Sequence, residues 1–500
     1  MVGSPVLLIA IPLLAAFLIP LLGMIWKELV RIIPGLVLAY MMVLSASLLY
    51  YVLENGPIIE ILAGWRPPLG INLVFSPLTG LLTTIMTFLG FIVWLYSYRF
   101  KRNVEFEPAK KYFIFLMMLV AGAVGIVLTG DIFNQFVFIE IVGISAYALT
   151  AFYTGRNAAE ASFKFLLMGS LSASALLIAI AIIYSQLGTL NMADIAENIH
   201  LMNPRFKIIA MILFIIGIGI EAEIFPLNGW APDAYTEAPG PIGAAFAGIV
   251  VKAGIYAMVR MVFTLFDVSG AVDFLLIIGL ITLIIAETTA LRQEQLKRML
   301  AYSSIGQMGL VFVAFGIGTT EGIFAALFLM LNHAIIKPLL FFSGSYLVFN
   351  SKDKKISEMN GLGKYMPMTA AFFALGSFAI VGLPPFAGFW SKLSILTAAA
   401  NEGMLLIIAL ILMVSVVEIV YYFRVINRIY FFKFDKATSV VPHKPRINAF
   451  LAMAVLGILI LVIGFYPDAV TGVLHQASDD LQNTQQYINN VLSVGQTLTN

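Results

Sequence analysis

The chain has 500 residues, of which 61% are hydrophobic and 11% are charged. Soluble globular domains carry about 25% charged residues, so this composition indicates a polytopic membrane protein. The net charge of +2 argues against a nucleic-acid partner, and the absence of cysteine excludes iron–sulfur clusters, Cys-ligated zinc and disulfides in this chain.

Apolar stretches of membrane-crossing length recur along the whole chain and predict about fourteen spans. The first of them has no basic n-region and no small-residue cleavage site, so we interpret it as a retained helix. The predicted spans lie near residues 4–23, 30–52, 73–98, 111–129, 132–153, 162–186, 207–236, 242–266, 270–290, 299–317, 322–349, 368–397, 404–432 and 448–467. The predicted fold class is therefore an all-α polytopic membrane protein.

The loops between these spans carry charge unequally. Lysine and arginine are concentrated in alternate loops, from Lys27 in the first to Arg446 in the last, and the positive-inside rule makes this side cytoplasmic. The opposite loops hold little beyond Arg66, Arg205 and Lys207. With an even number of spans, both termini of this plasma-membrane protein are expected to be exterior. Two interpretations remain open for the polar tail, residues 472–500: an exterior tail or short surface helix, or a docking arm for a partner subunit.

Two pairs of segments indicate an internal repeat. SFKFLLMGS (162–170) resembles IIKPLLFFSGS (335–345), which gives Lys164 and Lys337 equivalent places. The proline-containing segments EIFPLNGWAP (223–232) and IVGLPPFAGFW (380–390) follow in the same order and predict that the seventh and twelfth helices are broken. Interrupted helices at matching positions are typical of repeat-built transporters whose ion path lies at the breaks.

The repeat divides the chain into four predicted parts. They are an N-terminal three-helix segment (1–110), a first repeat (111–266), a second repeat (270–432), and the last helix with the exterior tail (433–500). Each repeat contains five predicted helices, an odd number, so the second runs through the membrane in the opposite direction. We therefore expect two inverted repeats, each forming a half-channel.

Ionisable residues lie deep inside the spans of both repeats, whereas the first three spans contain none at depth. A charge at mid-bilayer costs about 2.5–3.5 kcal/mol on insertion scales, so such residues are functional candidates. His333 and Lys337 are four residues apart on one helix face, and together they can pass on a proton. The candidates for ion translocation are Glu140, Glu221, Glu223, Lys252, His333, Lys337, Lys392 and Glu418, with Lys164 nearer the cytoplasmic end of its span.

Structural alternatives remain open for several candidates. Glu140 could make a helix–helix hydrogen bond as a neutral carboxyl, and Lys252 could be held in a structural pair. His333 could be a hydrogen-bonded core residue, and Lys164 could be a cytoplasmic anchor that extends to the interface. Glu418 could simply pair with a partner along the thirteenth span.

Other polar and aromatic residues are expected to have structural roles. Asp131, in LTGDIF, is expected to be the N-cap of the fifth span. Glu287, close to RQEQLKR, is expected to lie at the membrane interface. Tyr421 and Tyr422 are interpreted as packing or interfacial-belt residues.

Five motifs along the chain resemble motifs of one protein family and occur in the same order. FIEIVGISAY, FPLNGWAPDAYTEAP, RMLAYSSIGQMG, LNHAIIKPLLF and GLPPFAGFWSKL resemble the antiporter-like subunits of the complex I superfamily. That group includes the large membrane subunits of respiratory complex I, the D-type subunits of Mrp sodium/proton antiporters, and subunits of archaeal membrane-bound hydrogenases and sulfur-reducing complexes. The resemblance covers roughly residues 70–430 and implies a proton channel along a polar axis in mid-membrane. The family's charged residues fall on Glu140, Lys252, His333, Lys337 and Lys392.

One position departs from the family pattern. Where the family has a lysine in the arrangement K-x-x-x-x-P-L, this chain has Glu221, in EAEIFPL. The expected pair between a lysine and Glu140 is therefore absent, and Glu221 and Glu223 add two carboxylates. Carboxyl groups this close together in a low dielectric cannot all ionise. Either one of them holds a proton, or they share a cation, for which sodium is the candidate.

The resemblance implies an ion-translocating subunit, for H⁺ or for Na⁺/H⁺ antiport, in a multi-subunit membrane complex. Its expected partners are further antiporter-like and small membrane subunits, together with a peripheral redox arm. Only His333 of the four histidines falls within a predicted span, so we expect no cofactor in this chain. If the complex performs redox chemistry, we expect it in another subunit. A stand-alone transporter of a small solute is the alternative, but polar residues distributed over many helices suit a proton path better. The parent complex stays open between a hydrogenase, a sulfur or quinone reductase, and an antiporter.

Overall fold

The computed structural model describes residues 3–98, 106–266, 270–433 and 445–496. In these ranges the chain is almost entirely helical, apart from a hairpin of β1 (Ile58–Ile61) and β2 (Asn72–Phe75), which pair antiparallel with Ile58 opposite Phe75. Five basic residues of the lysine- and arginine-rich loops lie outside the described ranges: Arg99, Lys101, Arg102, Lys436 and Lys444. His443 and residues 497–500 of the tail also lie outside them.

The described part of the chain contains twenty α-helices. They are α1 (Leu7–Ile25), α2 (Leu29–Asn55), α3 (Pro77–Ser97), α4 (Phe106–Leu128), α5 (Ile132–Thr150), α6 (Arg156–Leu187), α7 (Met192–Asn198), α8 (Pro204–Glu221), α9 (Ala231–Glu237), α10 (Gly240–Ala245), α11 (Val251–Arg260), α12 (Ala271–Arg292), α13 (Leu296–Gly316), α14 (Thr320–Phe349), α15 (Pro367–Val381), α16 (Ala387–Asn401), α17 (Leu405–Phe431), α18 (Ile447–Phe465), α19 (Asp468–Gln482) and α20 (Thr484–Gln496). The π-helical turn Phe246–Val250 joins α10 to α11, and a second, Met261–Leu265, follows α11.

Within the described ranges, twelve helical segments are long and apolar enough to cross a membrane, or thirteen if one bent pair counts as a single span. The predicted class, a predominantly helical polytopic membrane protein, is confirmed. The number falls below the predicted fourteen because two predicted spans are interrupted. Residues 207–236 form α8, a break and α9, and residues 368–397 form α15, a break and α16. The fourteen-span topology and the inverted repeats remain predictions.

Both interruptions coincide with the prolines that predicted them. The first contains Pro226, and the second contains Pro384 and Pro385. A proline nitrogen donates no hydrogen bond and its ring clashes with the preceding turn, so neither helix continues. At the start of the first break, α11 packs closely against the backbone at the end of α8. A Cβ on Gly254 of α11 would lie 2.8 Å from the carbonyl carbon of Glu221. Only glycine permits this approach.

The central helices differ sharply from the outer ones in burial. The most apolar windows of Gly240–Leu265, α13 and α14 are 100%, 94% and 94% buried, whereas those of α1 and α17 are 39% and 33% buried. The outer helices therefore present apolar faces suited to lipid or to other subunits. Polar residues on α11, α13 and α14 lie inside the bundle, away from any lipid.

The polar tail folds back onto the chain as α19 and α20. Oδ2 of Asp480 accepts hydrogen bonds from Ser76 Oγ at 2.5 Å and from the backbone N–H of Leu78 at 3.1 Å, at the start of α3. Thr484 Oγ1 donates to the Phe263 carbonyl at 2.9 Å, beside the second π-helical turn. The tail thus forms two helices that pack on the rest of the chain, and both its exterior location and its role in docking a partner remain predictions.

Candidate ion path

A lysine and a histidine are in direct contact at the centre of the bundle. Nζ of Lys252, on α11, lies 2.5 Å from Nδ1 of His333, on α14, and also donates to the Ala247 carbonyl at 2.6 Å. Nε2 of His333 lies 3.2 Å from Oγ of Ser304, on α13. When Lys252 is charged it donates to Nδ1, so the proton of the neutral ring must then be on Nε2. Ala247 lies in a π-helical turn, an irregularity that recurs at functional sites.

Lys337 lies one turn further along α14 and is fully buried. Its Nζ donates to Ser303 Oγ at 2.8 Å, to Tyr422 Oη at 3.2 Å and to the Leu300 carbonyl at 3.2 Å. Ser303 Oγ and Tyr422 Oη are themselves 3.0 Å apart. The three ligands are neutral oxygens, so they satisfy the ammonium group without forming an ion pair.

Lys392 and Glu418 form a buried ion pair between α16 and α17. The Nζ–Oε2 distance is 2.5 Å, and the two side chains are 9% and 2% exposed. Lys392 also donates to the carbonyl of Val381 at 3.0 Å. Because Val381 is the last residue of α15, its carbonyl lacks a partner within the helix, and the break therefore supplies a ligand for the lysine. The other oxygen of Glu418 accepts a hydrogen bond from Gln307 Nε2 at 2.9 Å.

Glu287 belongs to this buried cluster, and the prediction that it lies at the membrane interface is wrong. Its side chain is on α12, only 1% exposed, and accepts a hydrogen bond from Tyr421 Oη at 2.7 Å. A Cβ on Gly306 would overlap Oε1 of Glu287, so the absence of a side chain there makes room for the carboxyl group inside the bundle. Tyr421 and Tyr422 likewise do more than pack, since both hydroxyl groups hydrogen-bond within the path.

Three carboxylates surround the first break. Glu221 ends α8, and Glu223 lies in the break; they are 5% and 1% exposed, while Glu140 on α5 is half-buried. Glu140 and Glu223 are the charged groups that act on Glu221. Lys252 contacts His333 rather than these carboxylates, although its charge, with that of Lys337, reaches Glu223.

Lys164 lies apart from the other candidates. Its side chain is 47% exposed and binds Glu160 and Asp233, each at 2.9 Å, and Asp233 also contacts Arg298. Lys164 is therefore held in a partly exposed ion-pair cluster, and its role as an anchor at the membrane surface remains a prediction. The two similar motifs therefore place one lysine where it is exposed and the other, Lys337, where it is fully buried.

The structure adds residues that sequence reasoning did not assign. Ser303, Ser304 and Gln307 of α13 contact Lys337, His333 and Glu418 respectively, and Tyr235 of α9 faces Glu223 and Ser304. A signal for the first three was present in RMLAYSSIGQMG, where polar residues three or four positions apart occupy one face of an otherwise apolar helix.

These contacts follow one another across the molecule. The groups occur in this order: the carboxylates of the first break; the Lys252–His333–Ser304 contact; Lys337 with Ser303 and Tyr422; and Glu287, Glu418 and Lys392. Adjacent groups are also electrostatically linked, since Lys337 interacts with Glu223 on one side and with Glu287 and Glu418 on the other. Ionisable and hydroxyl groups thus extend from the first break to the second.

Comparison with known proteins places the chain in a family. Residues 129–418 match the family described as NADH:quinone oxidoreductase/Mrp antiporter, TM. The N-type subunit of the NADH-quinone oxidoreductase of Desulforudis audaxviator is 31% identical, over 93% of this chain and 96% of that protein. The D-type subunit of the Na(+)/H(+) antiporter of Alkalihalophilus pseudofirmus is 28% identical, over 97% of this chain and 99% of that protein.

A solved structure is similar over nearly the whole chain. A chain of the membrane-bound sulfane sulfur reductase, an archaeal respiratory membrane complex, matches with a TM-score of 0.91 and 41% identity, over 98% of this chain and 100% of that chain. The resemblance inferred from the motifs is therefore confirmed. The chain belongs to the family of transmembrane subunits represented in NADH:quinone oxidoreductases and Mrp antiporters.

Proposed function

We propose that this chain moves protons across the membrane as one subunit of a multi-subunit complex. The observation that carries the proposal is the line of buried ionisable groups between the two helix breaks. Burying so many charges is costly, and inside membranes such residues characteristically mark ion paths. The similar proteins support the proposal that the chain assembles with other subunits, because they are subunits of an oxidoreductase, an antiporter and a respiratory membrane complex. A stand-alone solute transporter is not favoured.

The topology that fits this function has fourteen crossings, with each broken pair counted as one. Residues 111–266 and 270–432 then form two inverted repeats, preceded by residues 1–110 and followed by residues 433–500. The positive-inside asymmetry of the loops makes both termini exterior. The two breaks are the midpoints of the two half-channels, and each brings carboxylates or backbone carbonyls to the path.

In this mechanism Lys252 and His333 carry one proton at a time. Two positive charges 2.5 Å apart repel by about 7 kcal/mol at an effective dielectric of 20, so both cannot be charged together. A proton that reaches one of them therefore displaces the proton of the other. Lys337, with neutral ligands, is the next acceptor, and the Lys392–Glu418 pair opens or closes the second half-channel as its proton is exchanged.

The carboxylates of the first break are proposed to hold at least one proton between them. Lys252 is bonded to His333 and Ala247 instead of to Glu140, Glu221 or Glu223, so full ionisation would leave an uncompensated negative excess in a low dielectric. Sodium is the alternative occupant, favoured by the likeness to a subunit of an Na(+)/H(+) antiporter. We propose that the chain holds no redox centre, and that any electron transfer occurs in partner subunits.

The two described histidines outside the tail provide a direct test. In vesicles that contain the assembled complex, His333→Leu should reduce proton transport by at least about tenfold, because it removes the relay at the centre of the path. His200→Leu is the matched control, because His200 is exposed and bonds locally, to the Glu197 carbonyl. Equal transport by wild type and the His333 variant would refute the proposal.

A further inference from the structure

We propose that the groove beside the first break binds one hydrocarbon chain of a membrane phospholipid, with the phosphate of the lipid at Arg205 and Lys207. The groove lies between α8, the break and α12, and its volume is about 420 Å³. It opens on the outer surface of the bundle, where the neighbouring side chains of Ile208, Ile209 and Ile212 are 48%, 45% and 48% exposed. Its lining residues include none of the ionisable groups of the ion path, so this lipid site is separate from the function proposed above.

The walls of the groove are formed by apolar residues. Met211 and Ile215 of α8 form one wall, Phe274 and Ile278 of α12 form the other, and Phe225 lies at the break. The volume is that of a small-molecule site, for which about 300–1,000 Å³ is usual. A groove left empty would deprive both helices of dispersion contacts along its length. In a membrane, the hydrocarbon chains that surround the bundle can supply those contacts.

The backbone of the break is already satisfied inside the chain where it borders the groove. The N–H groups of Ile224 and Leu227 donate to backbone carbonyls at 3.1 and 2.8 Å. The N–H group of Phe225 donates to Thr282 Oγ1 at 3.0 Å, and Pro226 has no N–H group. Irregular backbone with unsatisfied polar groups is not found against lipid. Because residues 224–227 leave no N–H group free, a hydrocarbon chain can lie against them, whereas a polar occupant would find no donor there.

Two basic residues lie beyond the end of the groove that points away from the break. Lys207 is one turn before Met211 on the same face of α8. Arg205 is two turns before Ile212, which also lines the groove. They are two of the few basic residues on this side of the molecule, since the loops there hold little besides them and Arg66. Arginine and lysine are the side chains that bind phosphate groups. The apolar groove and its basic rim therefore match the two ends of a phospholipid.

The dimensions of the groove fit a lipid chain and not a helix. From Lys207 to Ile216, α8 rises by about 14 Å, which is close to half of the hydrocarbon thickness of about 30 Å. A phosphate at Lys207 therefore places the end of a lipid chain near the break. A partner helix about 10 Å in diameter would need about 800 Å³ over the roughly 10 Å between Ala271 and Ile278. That is twice the volume of the groove, so a helix can lie over it but cannot fill it.

Photolabelling of the assembled complex tests the site directly. The complex is placed in phosphatidylcholine vesicles that contain a small share of phosphatidylglycerol with a diazirine at the end of one chain, and the labelled peptides are identified by mass spectrometry. The label should fall on the break, at residues 224–227. Ile278→Trp, which fills the groove, should reduce this labelling by at least about tenfold. Ile277→Trp is the matched control, because Ile277 is 57% exposed and does not line the groove, and it should keep the wild-type labelling.

A second variant tests the phosphate contact and changes only the rim, so it remains available if the tryptophan variant does not assemble. Arg205→Gln/Lys207→Gln should lower labelling by the phosphatidylglycerol probe to the level given by a diazirine diacylglycerol, which has the same chains and no phosphate. Equal labelling of the wild type by the two probes would overturn the phosphate contact. Unchanged labelling in Ile278→Trp, or a map of the native complex with a partner subunit's side chains filling the groove, would overturn the lipid site.

Discussion

The Lys392–Glu418 pair allows the structural role of a buried charge to be separated from its role in transport. Glu418→Met removes the carboxylate that contacts Lys392, whose Nζ then keeps the Val381 carbonyl as a ligand. It also removes the acceptor of Gln307 Nε2. The double variant Lys392→Met/Glu418→Met instead replaces both charges by apolar side chains of similar length.

The expected stabilities differ in a way that follows from desolvation. At 2.5 Å and an effective dielectric of 20, the attraction within the pair is about 7 kcal/mol, most of which offsets the removal of both charges from water. Removing one partner leaves the other charge buried and should destabilise the protein by about 3–5 kcal/mol, or a factor of roughly 10²–10⁴ in the folded-to-unfolded ratio. Replacing both should be close to neutral.

The assay combines thermal unfolding of the purified complex with proton transport in vesicles. Glu418→Met should lower the unfolding temperature, and the double variant should recover most of the decrease. Neither variant should transport protons, because the double variant restores packing but not a titratable group. A double variant that transports normally would refute the reasoning, since the pair would then be purely structural. A Glu418→Met variant with unchanged stability would show that the pair does not form.

Three further predictions concern the rest of the path and its orientation. Lys337→Ala should abolish coupled transport while the complex still assembles. Lys164→Ala should keep most of the transport, because the Lys164 side chain is exposed. A transport assay in which Lys164→Ala lost more activity than Lys337→Ala would contradict the path. Glu221→Lys should form the lysine–carboxylate pair with Glu140 that the family pattern has. It should also remove any sodium dependence of transport and the infrared carboxyl band that titrates between about pH 5 and 9. A wild-type protein with neither property would show that Glu221 is not part of a shared site. A single cysteine at Gln476, exposed on α19 of this cysteine-free chain, should react with impermeant reagents from outside intact cells, and reaction only from the cytoplasm would invert the topology.

The sequence predicts the features that depend on local physics. Membrane-length apolar runs predict the helices, and prolines mark both breaks. The N-cap role of Asp131 is also borne out, since its side chain accepts the Asn134 N–H at 2.7 Å. Each of these depends on a few adjacent residues, and the same residues act in the same way in any fold.

Features that depend on the packing of distant helices could not be predicted. Glu287 is near a charged loop in sequence, yet Gly306 on a neighbouring helix allows it to lie inside the bundle. Lys164 and Lys337 occupy similar motifs, but only the arrangement of helices decides that one is exposed and the other buried. The hydroxyl group of Tyr235 gave no signal, because tyrosines are common in membrane proteins and this one matters only through the residues that it faces.

Protons are proposed to cross the membrane through the buried line of groups in this chain. Lys252 lies where the two halves meet and is the position at which interruption is most informative. The measurement is proton flux, followed with an internal pH indicator, in vesicles carrying wild-type complex, the Lys252→Met complex, or the Lys164→Met complex under the same imposed pH gradient. We predict that flux is lost in Lys252→Met and retained in Lys164→Met. Wild-type flux through the assembled Lys252→Met complex would contradict it.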